Sequence, residues 1–134
     1  MAWAATRNEL ELSTWALFGA TVCWAVVYDT IYAIQDKEDD RRIGVRSSAI
    51  LFGSFTWLGV GIAGLFMLGC LALVAKINHL GFEYSLALIG VAVILGYQVF
   101  LLRSEISREQ AFSLFQQHTW IGVFILGGIL MGLP

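Results

Sequence analysis

Three aspartates at the end of the first apolar run have the type and spacing to bind a cation. Residues 28–40 read YDTIYAIQDKEDD and follow a stretch that is almost purely apolar. On an α-helix of about 100° per residue, Asp36 and Asp40 lie within about 20° of Asp29, so the three carboxylates share one stripe. Asp39 points about 80° away from that stripe. Asp29 lies inside the apolar run, where an acid is costly and usually faces a functional partner.

The donor atoms of this stripe favour a hard cation, because all are carboxylate oxygens and no His or Cys lies in residues 28–40. The stripe therefore predicts a Mg²⁺ site. The cations around it, Lys37, Arg41 and Arg46, suit a phosphate better than a bare metal site. A metal-bound phosphate ester at a membrane surface would explain both sets of charges, because the aspartates would bind the metal and the basic residues the phosphate. The alternative is a solvated loop of mixed charge with one helix-packing acid.

The helical rise of about 1.5 Å per residue limits how these carboxylates can act together. Asp36 and Asp40 are about 6 Å apart along the axis, whereas Asp29 and Asp36 are about 10 Å apart. With Mg–oxygen bonds of about 2.1 Å, one ion cannot touch both Asp29 and Asp36 on an unbroken helix. Either the helix breaks between Tyr32 and Asp36, or Asp29 acts through water or on a second ion.

The elements that must position these residues are membrane-spanning helices. The chain is 58% hydrophobic and 13% charged, whereas average soluble domains carry about 25% charged residues. Four runs are long and apolar enough to cross a bilayer, which needs about 20 residues each. They predict an all-α integral membrane bundle in which Ser13 caps the first helix. Pro134 is the only proline, so no proline forces a kink inside a span. The spans are 13–35, 50–75, 84–102 and 112–133, and residues 105–117 are a candidate surface helix.

The basic residues predict the orientation of the bundle. The links after the first and third spans carry most of the cations, whereas the middle link has only Lys76 beside it. Basic loops stay in the cytoplasm, so the aspartate-rich stretch is expected to face the cytoplasm of a bacterial inner membrane. The net charge of −2 gives no indication of nucleic-acid binding.

The stretch WAVVYDTIYAIQDKEDDRRIGVRSSAILFG, residues 24–53, resembles the second aspartate-rich motif of the UbiA family of membrane prenyltransferases. Within that family, YDTIYAIQDKEDD and IGVRSSAILFG are most similar to the members that act on 4-hydroxybenzoate. The resemblance implies Mg²⁺-dependent transfer of a polyprenyl group from polyprenyl diphosphate to that acceptor, on the ubiquinone pathway. In the implied reaction the diphosphate leaves, an allylic carbocation forms, and a ring carbon ortho to the phenol hydroxyl attacks the carbocation.

The resemblance also implies roles for individual residues. Asp29, Asp36 and Asp40 match the motif's metal-binding aspartates, and apolar walls shelter the cation from water. Basic residues stabilise the leaving diphosphate, and tyrosines line the site or pack helices. The basic positions are Lys37, Arg41 and Arg46, and the tyrosines are Tyr28 and Tyr32.

The match to the family is partial. The family has nine spans and a first motif of the form NDxxDxxxD, which does not occur in these 134 residues. Residues 1–6, MAWAAT, resemble the end of the family's fifth helix. We therefore expect the C-terminal part of such an enzyme, inactive without its N-terminal half-bundle. The alternatives are another UbiA-family aromatic prenyltransferase and a non-catalytic membrane subunit; an alcohol phosphotransferase would need a DG pair, and there is none.

Overall fold

The structure, a computed structural model, describes residues 10–133, and nearly all of these are helical. Residues 1–6, with their resemblance to a family helix, lie outside the described part. A short helix and a 3₁₀ turn precede the second long helix. The elements are α1 (Leu12–Ile43), α2 (Ser48–Phe52), the 3₁₀ turn Gly53–Phe55, α3 (Thr56–Ile77), α4 (Phe82–Leu101) and α5 (Arg108–Gly132).

The four long helices pack in a ring, in which α1 contacts α3 and α5, and α4 contacts the same two helices. Each helix places aliphatic side chains at about every third or fourth residue on its inner side, which is the helical period. The fully enclosed centre is formed by Val27 and Ile31 of α1, Val60 and Met67 of α3, Val91 of α4 and Ile121 of α5. The predicted all-α helical bundle is confirmed.

The outer surface of the ring is apolar. Large side chains such as Phe18, Leu65, Phe66 and Val93 are exposed on it, whereas a soluble monomer rarely shows contiguous apolar patches of this extent. Each of the four long helical segments has the length and hydropathy to cross a bilayer. The protein is therefore an integral membrane helical bundle, and lipid is the solvent that suits its exterior.

Three details differ from the sequence-based expectations. The N-cap position of α1 is Glu11, and Ser13 is buried inside the helix. The second span is interrupted at Gly53, whose φ of 53° is open to glycine because it lacks a Cβ. The predicted span 50–75 was continuous, and the interruption arises at this glycine without any proline. Residues 108–117 belong to α5 itself and do not form a separate surface helix.

The aspartate-rich segment, the α2–turn region and the α4–α5 loop meet at one end of the bundle. At the other end the Gly81 N–H donates to the Gly132 carbonyl at 2.8 Å, which joins the α3–α4 loop to the end of α5. The links after the first and third spans therefore lie at the same end of the bundle, as the distribution of basic residues predicted.

Candidate functional site at the aspartate-rich end of α1

The helix α1 runs without a break through the whole aspartate-rich segment and ends at Gly44. Gly44 has a φ of 78°, and its N–H donates to the Asp40 carbonyl, which is a common way to end a helix. The helix break expected between Tyr32 and Asp36 is therefore wrong. The geometric alternative, that Asp29 acts through water or on a second ion, stays a prediction.

The aspartate stripe faces away from the described bundle. The buried residues of α1 include Ala20, Val27 and Ile31, which lie about 160–200° around the helix from Asp29. Asp29 is exposed and Asp40 is partly exposed, and neither forms an ion pair or hydrogen bond within residues 10–133. Within residues 10–133 no helix covers Asp29, so its carboxylate is available on an open face. The prediction that it faces a functional partner stays a prediction.

The guanidinium of Arg108, the first residue of α5, is bonded to this end of α1 at three points. Its Nη2 donates to Asp36 Oδ1 and to Asp39 Oδ2, both at 3.1 Å. Its Nε donates to the Gln35 carbonyl at 2.8 Å. On α1 alone Asp39 points away from Asp36, and Arg108 lies in the region that hydropathy places in the link before the fourth span. The structure brings both carboxylates to one guanidinium.

The start of α5 is fixed by a capping box, which determines where Arg108 lies. The Gln110 N–H donates to Ser107 Oγ at 3.2 Å, and the Ser107 N–H donates to Gln110 Oε1 at 2.9 Å. This reciprocal pair satisfies two N–H groups that an unprotected helix start leaves unbonded. The pattern Ser-x-x-Gln is readable in the sequence, so it was the available signal for a helix that starts at Arg108 rather than four residues later.

A polar cleft of about 750 Å³ lies on the other side of α1 from the stripe. The end of α1, the Gly53 turn and the α4–α5 loop form its walls. The predicted phosphate-binding residues Lys37 and Arg41 line it, whereas Arg46 lies in the exposed loop after α1. Asp29, Asp36 and Asp40 are not among the residues that line this cleft.

The two predicted site tyrosines have different surroundings. Tyr28 is half-buried, with its ring edge-on to those of Trp24, Phe115 and His118 at centroid distances of about 6 Å. This is the helix-packing role that sequence left open for it. Tyr32 packs against Phe115 at 5.1 Å but keeps 45% of its surface exposed, beside the stripe. Tyr32 is therefore the tyrosine whose ring is available to a ligand.

The donor set of the stripe fits a partly hydrated Mg²⁺ ion. Asp36 Oδ2 and both oxygens of Asp40 have no bond to other described groups, and one helical turn separates the two residues. Magnesium commonly takes one or two carboxylates and completes its shell with water and phosphate oxygens. No group of three or more His, Cys, Asp or Glu side chains assembles for a metal anywhere in residues 10–133. The fit is thus to an ion held from one side.

The sequence also matches a known protein family. The model of the UbiA prenyltransferase family matches residues 1–120. The chain belongs to the UbiA prenyltransferase family. For this UbiA-family chain the aspartates of α1 lie within the matched region, as does Arg108.

Curated relatives in this family are named 4-hydroxybenzoate octaprenyltransferase. The protein of Edwardsiella ictaluri (strain 93-146) is 40% identical over 133 residues, which are 99% of this chain and 46% of the relative. The proteins of Salmonella newport (strain SL254) and Salmonella agona (strain SL483) are each 38% identical over 131 residues, 98% of this chain and 45% of the relative. This UbiA-family chain therefore spans about half the length of the curated relatives it matches. No solved structure matches it.

Proposed function

We propose that this UbiA-family chain forms part of an enzyme that transfers a polyprenyl group from polyprenyl diphosphate to 4-hydroxybenzoate in a Mg²⁺-dependent reaction of ubiquinone biosynthesis. The observation that supports this most is the open stripe of Asp29, Asp36 and Asp40 on one continuous helix. Oxygen donors that face away from the bundle at a membrane surface suit a metal-bound diphosphate. The names of the relatives support the choice of acceptor.

In this proposal Asp36 and Asp40 hold the Mg²⁺ directly. Asp29, about 10 Å further along the helix axis, acts through water or on a second ion. When bound, the ion neutralises negative charge that develops on the leaving diphosphate. Lys37, Arg41 and Arg46 supply positive charge around the same end of α1. Tyr32 offers an exposed ring beside the stripe, which suits a wall that excludes water from an allylic cation.

The stripe needs a second surface opposite it, because an ion held from one side by two carboxylates has an incomplete protein shell. We therefore propose that the 134 residues are inactive by themselves and are completed by an N-terminal half-bundle of the kind the longer relatives have room for. The exposed Phe18 and Val22 lie on the same side of α1 as Asp29 and offer it an apolar contact surface. The bundle lies in the bacterial inner membrane, with the aspartate-rich end in the cytoplasm.

A chimera tests the proposal. This chain replaces the matching stretch of the Edwardsiella ictaluri relative, and membranes are assayed for Mg²⁺-dependent transfer from a labelled polyprenyl diphosphate to 4-hydroxybenzoate. We expect transfer by the chimera, loss of transfer in Asp36→Asn, and no transfer by the 134 residues alone. Glu38→Gln is the matched control, because Glu38 lies about 180° from Asp29 on the same helix. Transfer only to a different aromatic acceptor would indicate another UbiA-family activity.

A folded chimera that transfers no prenyl group to any aromatic acceptor would contradict the proposal and favour a non-catalytic membrane subunit. The relative itself, assayed in parallel, controls for the membrane preparation. Equal losses in Asp36→Asn and Glu38→Gln would show that the stripe does not select the functional carboxylates.

A further inference from the structure

We propose that Arg108 is a positioning residue for the metal-binding carboxylate of Asp36, an inference that rests on the proposed function. Its guanidinium joins the first turn of α5 to the aspartate-rich end of α1 through the Gln35 carbonyl and two carboxylates. By holding one oxygen of Asp36, Arg108 fixes the direction in which the other oxygen faces a cation.

The bonded atoms define this role. The two N–H groups of Nη2 are shared between Asp36 Oδ1 and Asp39 Oδ2, each at 3.1 Å. Asp36 Oδ2 remains without a partner in the described residues. Carboxylates that bind metals are commonly hydrogen-bonded on their other oxygen by an outer partner that orients them. Arg108 has the geometry of such a partner, because its planar fork sets directions as well as charge.

The third bond makes the arrangement rigid. The Nε–H donates to a backbone carbonyl of α1 at 2.8 Å, so the guanidinium plane is anchored to the helix and not only to flexible side chains. The capping box of Ser107 and Gln110 fixes the backbone from which Arg108 projects. Both the donor and the acceptor of the Asp36 bond are therefore held by regular helical structure.

Stability alone gives little reason for this cluster. The side chains of Arg108, Asp36 and Asp39 are 61%, 47% and 59% exposed, respectively. Ion pairs at such exposure contribute little to the free energy of unfolding. The positional precision of three bonds on one guanidinium is better explained by an oriented carboxylate than by a gain in stability.

The test measures cation affinity separately from activity. The chain is reconstituted in lipid nanodiscs, and Mn²⁺, which uses the same oxygen ligands as Mg²⁺, is titrated with free ion followed by electron paramagnetic resonance. We expect Asp36→Asn to remove the tightest Mn²⁺ site. Arg108→Gln should weaken that site by about 10- to 100-fold, the effect typical of outer partners of a metal ligand. Arg42→Gln is the matched control, because it makes the same charge change at the same end of the bundle.

Arg108→Lys separates orientation from charge, because lysine keeps the charge and loses the planar fork. We expect it to remain several-fold weaker than the native chain. Native affinity in Arg108→Lys, unchanged affinity in Arg108→Gln, or an affinity that rises in Arg108→Gln would each overturn the inference. The last result would show that Arg108 competes with the cation for Asp36.

Two further comparisons keep the outcome clear. Circular dichroism checks the helix content of each variant. If Arg108→Gln does not fold, Arg108→Lys and Asp39→Asn replace it, and weaker Mn²⁺ binding than in the native chain is again the expected result. An Asp36-dependent Mn²⁺ site that ignores Arg108 overturns this inference alone. A chain whose Mn²⁺ affinity ignores Asp36 overturns both this inference and the proposed metal site. Prenyl transfer by the chimera, measured independently, reports on the proposed function.

Discussion

The contact between α4 and α5 should be intolerant of a single methyl group at Gly128. A Cβ built there lies 2.6 Å from the Cβ of Ala87, whereas carbon atoms in contact prefer about 3.5–4.0 Å. The two helices must therefore separate by about 1 Å. Overpacking of this kind costs about 1–3 kcal/mol. Small residues at such positions are what allow membrane helices to approach closely.

The neighbouring Gly127 provides the reference, because nothing lies within 4 Å of a Cβ built on it. Gly127→Ala and Gly128→Ala gain the same helix propensity of about 1 kcal/mol, so that gain cancels in the comparison. Gly128→Ala should then be less stable than Gly127→Ala by about 1–3 kcal/mol in reversible unfolding from detergent micelles.

A compensating change sharpens the test. In the double variant Ala87→Gly, Gly128→Ala the nearest remaining atoms are Tyr84 Cα and Cδ2, both at 3.4 Å, so most of the clash is relieved. The double-mutant cycle should show a favourable coupling of about 0.5–3 kcal/mol. Equal stability of Gly127→Ala and Gly128→Ala, within about 0.5 kcal/mol, would refute this packing of α4 against α5.

Three other predictions concern the site and the helix contacts around it. In the chimera, Asp36→Asn should reduce prenyl transfer by more than about 100-fold, whereas Asp39→Asn, an outer position, should stay within about 10- to 100-fold; equal losses would contradict their separate roles. Trp24→Phe removes the indole N–H that donates to buried His118 Nδ1 at 2.9 Å, so the free energy of unfolding should fall by about 1–3 kcal/mol, with exposed Trp15→Phe as the control. Gln98→Leu removes two hydrogen bonds that the fully buried amide donates to α5, at 3.3 and 3.2 Å. The free energy of unfolding should fall by only about 0.6 kcal/mol, and a fall of more than about 2 kcal/mol would contradict this.

Hydropathy predicted the bundle well, because the length of an apolar run reports directly on a membrane span. The run at 84–102 corresponds to α4 within two residues at each end, and the run at 13–35 corresponds to α1, which continues to Ile43 through the charged segment. Helical periodicity also placed Asp29, Asp36 and Asp40 on one face of α1, which the unbroken helix retains. These are properties of single helices, and local sequence is enough to define them.

The features that sequence missed involve more than one helix. Asp36 and Asp39 both bond to the guanidinium of Arg108, which is distant in sequence, so a helical wheel of α1 alone could not show the link. The open direction of the stripe depends on where α3, α4 and α5 pack around α1. The break at Gly53 had a local signal, the glycine itself, but glycine is frequent in membrane spans and rarely breaks them.

The most direct measurement is the Mg²⁺ dependence of prenyl transfer to 4-hydroxybenzoate by the chimera and by its Asp36→Asn and Glu38→Gln variants. If the Asp36 carboxylate holds the ion, its removal should abolish transfer at every Mg²⁺ concentration or strongly raise the Mg²⁺ concentration that transfer needs. We predict full transfer with unchanged Mg²⁺ dependence in Glu38→Gln and no transfer at saturating Mg²⁺ in Asp36→Asn. Native transfer by Asp36→Asn with the native Mg²⁺ dependence would contradict the proposal that the stripe on α1 holds the metal-bound diphosphate.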